Sequence, residues 1–169
     1  NKKEIIPYIE PMFKLLDQTY NTLSTYTPIT DEQIKTYKEK YFPFIDKNYI
    51  ICVEDENHNL VSFAVTMPSY SKALQKSKGK LFPFGWWHFF FFFKKNDRAN
   101  FYLIGIHPEY QRRGVTAIIF KEIFVRFNKM GIKFAETNPE LEENKGVQAL
   151  WQDYNPTNHK RRRTYSKEL

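Results

Sequence analysis

The sequence predicts an α+β fold in which helices flank a mixed central sheet, and three observations support this prediction. The N-terminal part has two stretches of helical periodicity, the middle has two strands joined by a polar turn, and the second half has the order strand, loop, helix, strand. A tight turn makes the first strand pair antiparallel, whereas the strand–helix–strand unit places its strands in parallel. A length of 169 residues suits a domain with a packed core, so we expect one domain over residues 1–169.

Two helices are predicted before the first strand. Residues 2–23 have apolar side chains at helical spacing, and the prolines at positions 7 and 11 fit only near the start of that helix. Thr30 and Gln33 have the spacing of a capping box, in which each side chain satisfies a backbone N–H group of the other residue. They predict the start of a second helix that extends to about Tyr41.

A hairpin and a long insert follow. Residues 49–54 and 60–68 are rich in apolar and β-branched residues and predict strands, and the polar residues 55–59 predict the turn between them. Residues 71–78 predict a short basic helix. They belong to an aromatic-rich insert over about residues 70–100, which separates the hairpin from the next strand.

The insert contains the aromatic run LFPFGWWHFFFFF, residues 81–93. This run is too short to cross a bilayer and is interrupted by Pro83, Gly85 and His88. Three interpretations stay open. The aromatic side chains are buried in the core or against another domain, they form an apolar wall over an acceptor site, or they anchor the chain at a membrane interface.

A strand, a turn and a helix are predicted next. Residues 101–106 predict the strand, which ends before Pro108 because proline has no N–H group for a sheet. From Val115 the apolar side chains recur every three or four residues, and Gly131 is a natural helix stop. Residues 132–138 predict a further strand.

The turn before this helix predicts an anion site. A helix N-terminus has N–H groups without partners and a partial positive charge. Gly114 leaves the backbone open to a ligand, and Arg112 and Arg113 add positive charge. A phosphate or pyrophosphate is therefore the expected ligand. The turn is neither a P-loop nor a dinucleotide-binding motif, since no Lys-Ser or Lys-Thr pair follows Gly114 and the chain has no G-x-G-x-x-G.

The segment from Ile106 to Thr116, IHPEYQRRGVT, resembles the acetyl-CoA loop of the GNAT superfamily of N-acyltransferases, whose pattern is V/I-x-P-x-x-Q-R-R-G-x-G/A. The resemblance implies the GNAT fold, in which two parallel strands splay apart, and acetyl-CoA or a longer acyl-CoA as cosubstrate. Thr116 departs from the pattern, because glycine or alanine is usual there. The cofactor-binding residues that the resemblance implies are Ile104, Gly105, Ile106, Gln111, Arg112, Arg113, Gly114, Val115, Thr116, Ala117 and Asn144.

Acyl transfer to an amine needs a base, donors for the oxyanion and a proton source for the thiolate. Glu136, on the predicted strand that faces the splay, is the candidate base, and His107 is the alternative because histidine titrates near neutrality. The family often has a tyrosine as the acid, but Trp151 stands at that position, so Tyr154, about one turn on, is the candidate acid. Trp151 itself is interpreted as core packing. Backbone N–H groups of residues 104–106 are candidate oxyanion donors.

A narrower resemblance rests on the segments KALQKSKGKLFPFGW, KKNDR, YLIGIHPEYQRRGV, ETNPELEEN and HKRRR. Together they resemble the C-terminal GNAT domain of bacterial ceramide-synthase-like proteins, over nearly the whole chain. The resemblance implies a fatty acyl-CoA donor, a long-chain amine of the sphingoid type as acceptor, and an upstream GNAT-like half, with which the start at Asn1 agrees. The alternative is a non-catalytic CoA-binding GNAT module that supports another domain, which Thr116 and Trp151 favour.

The formal net charge of +7 favours anionic partners: CoA, nucleic acid or an acidic membrane surface. Nucleic acid is disfavoured, because the phenylalanines cluster in one run instead of alternating with basic residues. The basic run at 159–163 and the residues after it predict a final strand. Two interpretations of the basic charge stay open: a solvated edge of the sheet, or docking to an acidic membrane or to the CoA phosphates. The chain has a single cysteine, which excludes a disulfide within the chain. The four histidines are scattered and lack the spacing of metal ligands, so no metal is expected. We expect the chain in the cytoplasm, with contact at the inner face of the membrane as a further expectation.

Overall fold

The computed structural model describes residues 2–23, 26–41, 46–80, 82 and 96–167, and these residues have the predicted α+β order. Their four strands form one sheet in the order β1-β2-β3-β4, in which β3 and β4 are parallel and the other neighbours are antiparallel. The prediction of a mixed sheet is therefore confirmed. The helices and strands are α1 (Ile9–Tyr20), α2 (Asp31–Tyr41), β1 (Ile50–Glu54), β2 (Leu60–Pro68), α3 (Ser71–Ser77), β3 (Arg98–Ile106), α4 (Val115–Met130), β4 (Phe134–Thr137) and α5 (Lys145–Ala149).

The first helix is shorter than the sequence predicts. Two single 3₁₀ turns, Lys2–Glu4 and Ile6–Tyr8, precede α1. Pro7 lies in the second of these turns, and Pro11 lies in the first turn of α1, where its missing N–H group has no intrahelical partner to lose. The apolar face of α1 is buried against Phe63 and neighbouring residues on one side of the sheet.

Helix α2 begins with the predicted capping box. The Thr30 backbone N–H donates to Gln33 Oε1 at 2.9 Å, and the Gln33 backbone N–H donates to Thr30 Oγ1 at 3.3 Å. We expect Thr30→Ala to lower the free energy of unfolding by about 1 kcal/mol, because one N–H group of the first turn loses its acceptor. Thr36→Ala is the matched control, since its hydroxyl only bonds the Glu32 carbonyl within the helix. Urea denaturation measures both, and an equal loss in both variants would contradict the cap.

The predicted central helix packs on the other side of the sheet. Helix α4 spans Val115–Met130 and ends at Gly131, whose φ of 74° is the left-handed conformation expected of a helix stop. Its buried face joins the larger core cluster with Phe101 and Ala64. Ile118, which the periodicity includes in this face, is instead exposed, because the buried side chains of Ile119, Ile123 and Phe127 point to a different side of the helix.

The prediction of a final strand is wrong for the described part of the tail. Residues 155–167 form neither helix nor strand and are exposed. The edge that they would have joined is β4, which has only four residues and offers few ladder hydrogen bonds. The tail contacts the sheet through side chains instead: Lys160 Nζ and His159 Nε2 lie 2.7 and 3.3 Å from Glu136 Oε1.

The predicted short helix of the insert is confirmed as α3. Residue 81 and residues 83–95 lie outside the described residues, so the three interpretations of the aromatic run stay predictions. Phe82 alone of the run is described, and it is exposed. Over the described ranges, none of the helices combines the length and the apolar composition that crossing a bilayer requires.

Candidate functional site

The two parallel strands separate after a short paired segment. Residues 98–101 of β3 pair with β4, but β3 continues to Ile106 without a partner on that edge. At the point of separation β3 has one extra residue, Tyr102, opposite the step from Val65 to Thr66, and such a bulge bends a strand. The splay that the GNAT resemblance implies is therefore present. It opens a cavity of about 310 Å³ between β3, the end of α1 and the segment after β4.

Beyond its pairing with β4, the outer edge of β3 has backbone groups that lack a partner strand, and Ile104 of this edge lines the cavity. Ile104 O accepts a hydrogen bond from the Tyr20 hydroxyl at 3.1 Å, and Ile106 O accepts one from Gln111 Nε2 at 3.3 Å. The N–H group of a strand residue points to the same edge as its carbonyl. Ile104 and Ile106 therefore direct their peptide groups away from β2. Gly105, between them, directs its carbonyl toward β2, where it accepts from Ser62 Oγ at 2.7 Å.

The predicted anion loop connects this edge to α4. Arg112 and Gly114 have φ angles of 60° and 80°, and Gly114 precedes the helix without a side-chain cap. A Cβ atom at Gly114 would meet no atom within 4 Å among the described residues. Residues 111–114 are exposed. The first N–H groups of α4 are thus open to an anion, as the sequence predicts for the geometry of this turn.

Contacts with the β1–β2 hairpin hold the anion loop in place. The His107 N–H donates to Val61 O at 2.9 Å, and the Tyr110 hydroxyl donates to Asp55 Oδ2 at 3.3 Å. Hydrogen bonds from Asn59 hold the pKa of the Asp55 carboxyl below its usual value, so this acceptor stays charged at neutral pH. His107 Nδ1 accepts the N–H of Glu109, and the ring is not among the residues that line the cavity. His107 shapes the turn.

Apolar and aromatic side chains dominate the cavity wall. Tyr20, Leu23 and Tyr26 line it from the N-terminal part, and Leu103 and Leu141 line it from β3 and the segment after β4. The Tyr26 hydroxyl donates to Asp17 Oδ1, which fixes the segment after α1 to that helix. Burial raises the pKa of Tyr20, so its hydroxyl stays protonated and remains a donor to Ile104.

The third side of the cavity comes from the segment before and within α5. Asn144 Oδ1 accepts the backbone N–H of Val147 at 3.3 Å and caps this short helix. The ring of Trp151 packs against Phe101 and Phe120, at centroid distances of 5.0 and 5.3 Å. The interpretation of Trp151 as core packing is thus confirmed. Asn144, Val147 and Trp151 all line the cavity, and the CoA contact of Asn144 stays a prediction.

The structure does not bring the two predicted catalytic side chains to the cavity. Glu136 pairs with Lys160 and His159, and the Lys160 ammonium holds the pKa of this carboxyl below its usual value. Thr137 lines the cavity, and because successive side chains of a strand point to opposite faces, Glu136 points away from the cavity. Tyr154 is half-exposed and packs against Phe120 and Phe124 outside the lining residues. This geometry does not support the roles predicted for Glu136 and Tyr154.

Sequence reasoning missed one charged residue of the site. Glu140 lines the cavity, and its Oε1 accepts a hydrogen bond from Trp151 Nε1 at 2.8 Å. Glu140 belongs to the stretch ETNPELEEN, in which Glu142 and Glu143 have neighbouring residues similar to those of Glu140. Only the chain path after β4 distinguishes the three glutamates, so no local sequence signal could have selected Glu140.

Comparison with known proteins gives distant relatives. No family model matches the chain. Protein YghO of Escherichia coli is 25% identical over an alignment of 152 positions, and the match covers 85% of this chain and 38% of that protein. The bacterial ceramide synthase of Caulobacter vibrioides is 22% identical over an alignment of 169 positions, and the match covers 95% of this chain and 43% of that protein. The chain thus spans about two fifths of the length of the curated relatives that it matches.

Comparison with solved structures identifies the fold. The aminoglycoside N-acetyltransferase AAC(6′)-Iy, bound to a bisubstrate analog of CoA, matches with a TM-score of 0.58 at 14% identity, and the match covers 96% of this chain and 93% of that one. The chain therefore has the fold of the GNAT N-acetyltransferases. The resemblance to bacterial ceramide-synthase-like proteins is likewise confirmed as a similarity, by the match to the Caulobacter protein.

Proposed function

We propose that the chain is an acyl-CoA-dependent N-acyltransferase. The observation that carries the proposal is the continuity of two features: the edge of β3 that lacks a partner strand leads through the anion loop into the open N-terminus of α4. In the reaction, the nitrogen of the neutral amine bonds to the thioester carbonyl carbon and loses one proton, the C–S bond breaks, and the CoA thiolate takes up one proton and leaves as a thiol. The cavity beside β3 is where the acyl group and the amine meet.

The donor lies along this edge in the proposed complex. Its pyrophosphate binds the N–H groups of residues 112–117 and the charges of Arg112 and Arg113. The pantetheine arm extends along Ile104 and Ile106, whose peptide groups face the gap. The thioester then lies beside the cavity, where a backbone N–H group of β3 can stabilise the oxyanion. Asn144 contacts CoA from the opposite side of the gap.

The acceptor that suits the cavity is a long-chain amine of the sphingoid type, with a fatty acyl-CoA as donor. Support comes from the aromatic and leucine side chains of the wall and from the similarity to the bacterial ceramide synthase. The exposed basic tail, residues 159–163, suits contact with an acidic membrane at the cytoplasmic face. We place this chain as one GNAT domain, residues 1–169, within a longer protein, because the matched relatives are more than twice as long.

The alternative is a CoA-binding module without turnover that supports another domain. It is favoured by the positions of Glu136 and Tyr154 outside the cavity lining and by Trp151 at the position of the family's tyrosine. In this alternative the donor binds as described, but no acyl group is transferred. Binding and turnover must therefore be measured separately.

Calorimetric titration with acetyl-CoA and palmitoyl-CoA tests the donor site. We expect both thioesters to bind, with palmitoyl-CoA the tighter ligand, because its chain adds apolar contacts in the cavity. Release of the CoA thiol on addition of sphinganine then measures turnover. Binding with no thiol release would favour the non-catalytic module, and failure of both thioesters to bind would refute the proposed function.

A further inference from the structure

A single carboxylate faces the cavity among the described lining residues. That residue is Glu140, and no lysine, arginine or histidine belongs to the described lining. The remaining wall is aromatic, aliphatic or uncharged. A cation that enters therefore meets one fixed partner, whereas an anion meets none. Glu140 is partly buried, so its attraction for a cation exceeds that of a fully exposed glutamate.

The carboxylate is held in one orientation by a neutral donor. Trp151 Nε1 donates to Glu140 Oε1 at 2.8 Å, and the indole ring packs against both Phe101 and Phe120. Indole is uncharged, so the hydrogen bond orients the carboxylate without neutralising it. Within the described ranges, neither oxygen of Glu140 has an ion-pair partner. The charge is available to a ligand.

The carboxylate also lies near the edge of β3 that receives the donor. The Tyr20 hydroxyl contacts Ile104 O, and the charge of Glu140 adds to burial in raising the pKa of Tyr20. Tyr20, Ile104 and Glu140 thus line the same cavity. A cation at Glu140 would lie in the cavity beside which the thioester is placed.

We propose that Glu140 binds the ammonium group of the acceptor before this group releases the proton that frees its lone pair for attack, that Trp151 is the positioning residue of Glu140, and that this subsite takes a primary amine on an uncharged, apolar body. The proposal rests on the proposed function and specifies its acceptor. The carboxylate of a free amino acid would find no cationic side chain in the described cavity wall, and the additional ammonium groups of a polyamine would find no further carboxylate there. Burying such an unpaired charge costs free energy, so the cavity favours an amine with one charge.

Binding of octylamine and octanol to the CoA-saturated chain tests this subsite, because the two probes share a body and differ in charge. We expect Glu140→Gln to weaken octylamine binding by about 10- to 100-fold and to leave octanol binding unchanged. Glu142→Gln removes the same charge two residues away, outside the lining, and should change neither. Glu140→Asp keeps the charge and should retain the preference for the amine over the alcohol.

Trp151→Phe separates positioning from packing. It keeps an aromatic ring but removes the donor to Glu140, so the ratio of amine to alcohol affinity should fall severalfold. A merely structural defect would weaken both probes together. Equal octylamine affinity in the wild-type chain and Glu140→Gln, or no octylamine binding while acetyl-CoA still binds, would overturn this inference alone. Loss of acetyl-CoA binding in the wild-type chain would instead overturn the proposed function.

Discussion

Replacing Gly114 by glutamate is expected to weaken acetyl-CoA binding by at least about 100-fold. Gly114 lies at the N-terminus of α4 with open space beside its Cα atom. A carboxylate there would lie close to the pyrophosphate and to the positive end of the helix. Two like charges about 4 Å apart near a protein surface repel by about 4 kcal/mol, and each 1.4 kcal/mol of lost binding energy is about tenfold in affinity.

Gly131→Glu is the matched control at the other end of the same helix. Gly131 has a φ of 74°, close to the 80° of Gly114, and an added Cβ would likewise meet no described atom within 4 Å. Both variants therefore pay a similar backbone strain of about 1 kcal/mol, which thermal denaturation measures. We expect acetyl-CoA affinity to fall only in Gly114→Glu. A similar fall in both variants would show that destabilisation, not the anion loop, accounts for the effect.

The parts that sequence reasoning predicted depend on local patterns. The capping box at Thr30, the hairpin turn and the stop at Gly131 each require only a few neighbouring residues, and all three are present. The anion loop is also local, because proline, the arginines and Gly114 fall within one turn of chain. Such features can be predicted because the residues of the sequence pattern are the same residues that make the structural contacts.

The parts that were missed depend on contacts between distant residues. The sequence offered Glu136 as the candidate base, but this carboxylate pairs with Lys160 outside the cavity lining, whereas Glu140, in the segment after β4, lines the cavity. The bond from Tyr20 to Ile104 O joins residues 84 positions apart. Glu136 lies within β4 and Glu140 lies beyond its end, so the choice between these glutamates depends on the path of the chain, which composition does not show.

A second large effect is expected at Gly105. A Cβ atom there would lie 2.7 Å from Cε1 of Phe63, whose side chain is 1% exposed and has no room to move. We expect Gly105→Ala to lower the free energy of unfolding by about 2–3 kcal/mol, as measured by urea denaturation. Gly146→Ala is the control, because its nearest neighbour would be Asn144 Oδ1 at 3.8 Å and alanine favours a helix.

A double-mutant cycle with Phe63→Leu tests the physical reason. Leucine costs about 1–2 kcal/mol by itself, but it vacates the position of the ring carbons, so the added methyl of Gly105→Ala should cost much less in that background. Additive costs would contradict the clash. Because Gly105 lies between Ile104 and Ile106, displacement of this strand should also weaken acetyl-CoA binding in Gly105→Ala. If the double variant regains acetyl-CoA binding, the packing of Phe63 against Gly105 determines the position of the β3 edge on which the cofactor is proposed to bind.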